Sequence, residues 1–139
     1  MPPILDMLLV HHSHTDIGYT NYQDNVFALN RDYLRRALDL AEKYADRAPG
    51  EQFKWTCETT IMVEDFLHHA KPPEIDRLIS LHKAGLIGFG GMYGNLTPLY
   101  STEMLARTLY VAARLRRDYG LDIRYTQNCD VNGESWGLT

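Results

Sequence analysis

The stretch His11-His12-Ser13-His14-Thr15-Asp16-Ile17-Gly18-Tyr19 gathers three of the chain's six histidines beside a carboxylate. Side chains two apart on an extended backbone point the same way, so His14 and Asp16 can offer an imidazole nitrogen and a carboxylate oxygen to one point. That is half of an N/O metal shell, with bonds of ~2.0–2.2 Å for zinc. The apolar run Met7-Leu8-Leu9-Val10 just before it reads as a buried strand. The carboxyl ends of parallel strands are where α/β proteins bind ligands. A His-x-Asp pair is common by chance. The strand placement, the neighbouring His12 and the backbone freedom of Gly18 lift this one above that background.

Asp130 is a second such position, at the end of a later strand in Asn128-Cys129-Asp130-Val131-Asn132-Gly133-Glu134-Ser135-Trp136. Alone it reads as a turn aspartate beside Asn132-Gly133. With His14 and Asp16 it completes three N/O ligands and an open position, as a catalytic metal site requires. Glu58 follows the second strand on the same side and suits a hydrogen bond to substrate or to a metal-bound histidine. It equally suits the start of a helix. Tyr19, Tyr93, Tyr100 and Trp136 fall in loops after strands, where aromatic faces can stack on sugar rings. His68, His69 and His82 fall on helices and read as surface or core-edge residues.

Four strands and four helices must position these groups. The strands are expected at residues 4–12, 53–57, 86–91 and 123–127. The first helix spans residues 24–45, with Val26, Leu29, Tyr33, Ala37, Leu40, Ala41 and Tyr44 spaced by threes and fours. A second runs over 60–70 and stops at Pro72-Pro73, and Pro73 can open the third. Gly85 is placed to cap that third helix. Ser101 or Thr102 can cap a fourth, running to about Tyr119, and Gly120 closes it. Glycines in Gly88-Phe89-Gly90-Gly91 allow another backbone or a ligand to come close. Strands alternating with helices imply an α/β fold with a parallel sheet and right-handed crossovers. Four strands make an open sheet, and an incomplete domain is the expectation.

The 139 residues are 45% hydrophobic and 23% charged, ordinary values for a globular domain with a core. A net charge of −4, with Arg114, Arg116 and Arg117 as the one basic cluster, argues against a nucleic-acid partner. No run approaches the ~20 apolar residues of a membrane span. The apolar start has neither a basic stretch nor a cleavage site and reads as a strand, not a signal peptide. Cys57 and Cys129 are too few for a disulfide scaffold and read as buried thiols. A cytoplasmic location follows as the expectation. Asn95-Leu96-Thr97 matches a glycosylation acceptor but reads as a turn.

The motif His12-Ser13-His14-Thr15-Asp16-Ile17-Gly18-Tyr19 resembles the opening His-Ser-His-Asn-Asp-Pro-Gly-Trp segment of the family 38 glycoside hydrolases, the α-mannosidases. Lys54-Trp55-Thr56-Cys57-Glu58 resembles the family's second strand with its glutamate. Lys83 through Met92 is similar to its glycine-rich strand, and Gln127 through Gly133 to the segment carrying its catalytic aspartate. The likeness runs from about Leu8 to Trp136. It implies the first part of a seven-stranded α/β barrel acting on carbohydrate. It makes His14, Asp16 and Asp130 ligands of zinc or another divalent metal, and Asp130 the nucleophile of a retaining glycosidase. Tyr19 stands where the family stacks a tryptophan on the sugar, with Glu58 and Trp136 as further substrate-binding residues. Ile17 for the family's proline, and Val131-Asn132 for its Pro-Phe, imply a divergent branch. The family's remaining zinc histidine and its general acid lie further along a longer chain and have no match here. The resemblance therefore implies contact with a remainder of the catalytic domain, or a homo-oligomer. The rival readings are a metal-dependent carbohydrate deacetylase and a non-catalytic carbohydrate-binding fragment.

Overall fold

The computed structural model describes residues 3–5, 7–97, 99–131 and 133. Among them are five helices: α1 (Gln23–Lys43), α2 (Thr60–His69), α3 (Pro72–Lys83), α4 (Thr102–Arg107) and α5 (Tyr110–Tyr119). Two strands, β1 (Trp55–Cys57) and β2 (Ile87–Phe89), pair in parallel with Thr56 opposite Gly88. An isolated parallel bridge flanks each side, His12 to Thr56 and Gly90 to Tyr125. Four chain segments thus lie side by side in sequence order, with helices between them. The fold is α/β, as the alternation predicts.

Ile87, Phe89 and Cys57 point into one core with Leu34, Leu38 and Ala41 of α1, Val63, Phe66 and Leu67 of α2, Leu78 and Leu81 of α3, and Leu115 of α5. Thr56 and Gly88 face the other way, with the Tyr125 hydroxyl over Gly88. The period of two along each strand therefore separates a helix-covered apolar side from a side of small polar groups. His82 ties the third segment to the fourth. Its Nδ1 lies 2.8 Å from the Ile87 carbonyl, its Nε2 accepts from the Asp122 N–H at 2.8 Å, and its ring rests on Phe89.

Three elements differ from the sequence reading. The first strand, expected over residues 4–12, shrinks to the bridge at His12 and a bond from the Thr56 N–H to the His11 carbonyl. Ile4, Leu5 and Met7 through Val10 are exposed, because no described element packs on them. The fourth strand likewise reduces to Tyr125. The fourth helix breaks at Thr108, whose hydroxyl donates to the Leu105 carbonyl inside its own turn, 2.7 Å away. The α1 stripe holds at Val26, Ala37 and Ala41, which are buried, but not throughout. Leu34 and Leu38 are buried where Leu29, Tyr33 and Leu40 are partly exposed. Turn residues follow expectation better. Pro72 and Pro73 open α3, and Gly85 and Gly120 close their helices at φ 74° and 67°. No described helix is long and apolar enough to cross a membrane.

Ion pairs join the helices across the surface: Arg31 to Asp65 at 2.7 Å and Arg35 to Glu74 at 2.8 Å. The Arg35 guanidinium, and then the Lys71 N–H, hold the Glu74 carboxyl below its ordinary pKa of 4.5. A carboxyl depressed in the folded state contributes stability above its unfolded pKa and loses it as pH falls through the folded one. Glu74→Gln is therefore expected to flatten the loss of stability below about pH 4.5. Urea melts at several pH values check this. An unchanged slope would mean that solvent screens the pair.

Candidate functional site

Every polar side chain of interest follows the carboxyl end of one of the four parallel segments. His14 and Asp16 follow the His12 bridge, Glu58 and Thr59 follow β1, Gly94 and Asn95 follow β2, and Cys129 and Asp130 follow Tyr125. All of these but Glu58, which lies behind His14, line an open cleft of about 490 Å³ together with Tyr19, Ile61 and Tyr100.

His14 is the centre of the arrangement. Its Nδ1 lies 3.0 Å from Glu58 Oε1, while Glu58 Oε2 accepts from the Thr15 N–H at 2.9 Å. A carboxylate only accepts, so Nδ1 carries the proton and donates. Nε2 then turns to Asp16 Oδ1 at 3.4 Å and Asp130 Oδ2 at 3.8 Å. The Glu58 hydrogen bond raises the His14 pKa above the ordinary imidazole value. Partial burial opposes this, and the charges of Glu58, Asp16 and Asp130 add to it. An imidazole held by a carboxylate on one nitrogen, with the other facing two carboxylates, suits a divalent cation. His14 Nε2 thus has a carboxylate oxygen of Asp16 and one of Asp130 within 4 Å, donors of the N/O type that a divalent ion takes.

Asp130 is 87% exposed at its side chain, whereas Glu58 is fully buried at 0%. Asp130 sits at φ 51°, a left-handed conformation that aspartate tolerates better than most residues. Two asparagines fix that turn. The Leu96 N–H donates to Asn128 Oδ1 and the Leu96 carbonyl accepts from Asn128 Nδ2, at 3.1 and 3.2 Å. Asn95 Oδ1 accepts from the Cys129 N–H at 3.2 Å. The loop after β2 thereby holds the loop that carries Asp130. The Asn95 Nδ2 and Thr59 Oγ1 atoms, both buried at the cleft, have no partner among the described residues.

Glu58, expected to hydrogen-bond substrate or a metal-bound histidine, turns one oxygen to His14 and the other to the Thr15 N–H. Tyr19 lines the cleft with 90% of its surface exposed. Trp136 and Glu134 lie outside the described residues. Cys57 is buried in the core, which pushes its thiol up to about 12. Cys129, expected to be buried, is half-buried and lies 3.9 Å from His12 Nε2. Sequence reasoning assigned no ligand or binding role to His12, Thr59, Asn95 or Cys129. The adjacency of Cys129 to Asp130 and the His12-x-His14 spacing were signals for two of them. Asn95 was visible only as a glycosylation-like tripeptide. His12, Glu58 and Cys129 form a group that could hold a metal ion, their ligand atoms all within 4.8 Å of one another.

Gly90 is the position where this geometry is most easily damaged. A Cβ there would press into the backbone carbonyl of Glu58, with the Cys57 carbonyl close behind. Gly90→Ala must displace the end of β1. The expected cost is about 1–3 kcal/mol in a urea melt, the range for forcing an extra methyl into a packed site. Cation affinity should fall with it, because Glu58 moves. Wild-type stability in the variant would show that the strands separate freely here.

No protein-family model matches the sequence, and no curated protein matches it. The fold is similar to a solved glycosyl hydrolase family 38 protein from Enterococcus faecalis, with a TM-score of 0.65 at 20% sequence identity. The match covers 84% of this chain and 13% of that one. What the chain shares with that much longer protein is the α/β architecture of one part of it.

Proposed function

We propose that this chain carries the nucleophile and part of the metal shell of a retaining glycosidase of the α-mannosidase type, within a larger α/β-barrel catalytic domain. The observation that carries this reading is His14, held on Nδ1 by buried Glu58 and turned on Nε2 toward Asp16 and Asp130 in an open cleft. The motif order in the sequence and the fold similarity support it. So do the two partnerless polar atoms of Thr59 and Asn95, which suit the hydroxyls of a sugar.

In this reading His14, Asp16 and Asp130 hold a divalent ion such as zinc, which when bound supplies contacts to sugar hydroxyls and stabilises developing charge. Glu58 fixes the tautomer and direction of His14. Asp130, exposed and fixed by Asn95 and Asn128, attacks the anomeric carbon. The bond to the leaving oxygen breaks as a glycosyl ester forms on Asp130, and water then hydrolyses that ester. A second carboxyl group ~5–5.5 Å away must protonate the leaving oxygen. Glu58 has both oxygens occupied, so that acid comes from outside the described residues. Tyr19 and Trp136 provide stacking faces for the sugar. Action in the cytoplasm agrees with the two unbridged thiols.

Mechanism-based labelling tests the proposal. A fluorinated glycosyl fluoride forms its ester quickly and loses it slowly. Peptide mapping by mass spectrometry is expected to find one glycosyl adduct, on Asp130. An adduct on another carboxylate, or release of acetate from an acetylated sugar with no adduct, overturns it.

A further inference from the structure

We propose that His12, Glu58 and Cys129 form a second metal site, for a thiophilic ion such as Zn²⁺ or Cd²⁺, distinct from the all-N/O set of His14, Asp16 and Asp130. The inference stands independently of the glycosidase reading. His12 Nε2 lies 3.9 Å from Cys129 Sγ and 4.0 Å from Glu58 Oε1. The His12–Glu58 separation is too long for a hydrogen bond. Three ligand-type groups therefore converge with a gap between them. A triangle with edges of that size, none above 4.8 Å, has its centre at most roughly 2.5 Å from each atom, close to the ~2.0–2.3 Å bonds of zinc to nitrogen, oxygen and sulfur.

The surroundings suit an ion as well. Glu58 is buried, so its negative charge is poorly screened by water. Gln127 Nε2 donates to Cys129 Sγ at 3.1 Å, a contact that stabilises a thiolate and outlasts metal binding. Thiolate plus imidazole selects soft or borderline ions over Mg²⁺ or Ca²⁺, whereas the neighbouring set has no sulfur. Glu58 Oε1 also accepts from His14 Nδ1, so the two sets share one carboxylate.

The test is titration of the purified chain with Cd²⁺, read by the ultraviolet thiolate-to-metal charge-transfer band. One saturable band is expected at one ion per chain, lost in Cys129→Ser and retained in Cys57→Ser and Asp16→Asn. His12→Ala should weaken binding at least ~10-fold. Circular dichroism of each variant separates a lost ligand from a lost fold. No saturable band in the wild type, a band that survives Cys129→Ser in folded protein, or unchanged affinity in folded His12→Ala overturns the proposal. The Asp130 labelling experiment does not depend on any of these results.

Discussion

Asp130→Asn is expected to lower hydrolysis of an activated aryl glycoside about 10⁴-fold or more, roughly 5 kcal/mol of barrier. The amide keeps the size of the side chain and removes the charge that attacks carbon. An activated leaving group needs little protonation, so this substrate bypasses the acid absent from the described site. A deep loss on such a substrate is the signature of a nucleophile. An acid would be spared by the aryl substrate. The Asp130 side chain is largely exposed, so the melting temperature of the variant should stay near that of the wild type. An unchanged aryl-glycoside rate assigns the attack to another group.

Glu58→Gln is expected to weaken binding of a hard divalent ion 10–100-fold, the range for losing the carboxylate behind a metal-bound histidine. Glutamine fills the same buried space and can still accept from the Thr15 N–H. It removes the negative charge that anchors the His14 Nδ1 proton. Mn²⁺ is the suitable probe, because it prefers N/O donors to sulfur. Calorimetric titration of wild type and variant gives the ratio directly. Equal affinities would mean that His14 keeps its direction through Asp16 alone.

What was legible in the sequence was local. The period of two in Phe53 through Cys57, the helix stop at Pro72-Pro73, and the glycines after α3 and α5 each follow from backbone sterics that act within a few residues. The approach of Asp16 and Asp130 to His14 was legible because strand ends in a parallel sheet share one edge. Burial was less so. The stripe on α1 follows Leu34 and Leu38 because α2, α3 and β1 fix which way the helix is turned, and no spacing rule contains that information. Met7 through Val10 look like a core strand by composition, yet a strand is buried only by what lies against it. Which of the roles open to Glu58 it takes was left undecided for a related reason. A carboxylate in a sequence does not say whether it will face solvent or its own histidine.

The exposed row from Ile4 to Val10 changes what dilution does to this molecule. Six large side chains, each at least 63% exposed, stand on backbone that pairs with β1 only at its far end. Such an edge accepts any strand that arrives, whether from elsewhere in a longer chain or from a second copy. Its apolar surface gives that arrival a driving force near 25 cal/mol per Å² covered. The melting temperature of the isolated chain should then rise with concentration, by mass action. Above some threshold the same contacts turn from stabilising to precipitating, and a single charged residue placed in the row, Leu8→Lys for instance, moves that threshold upward without touching the cleft.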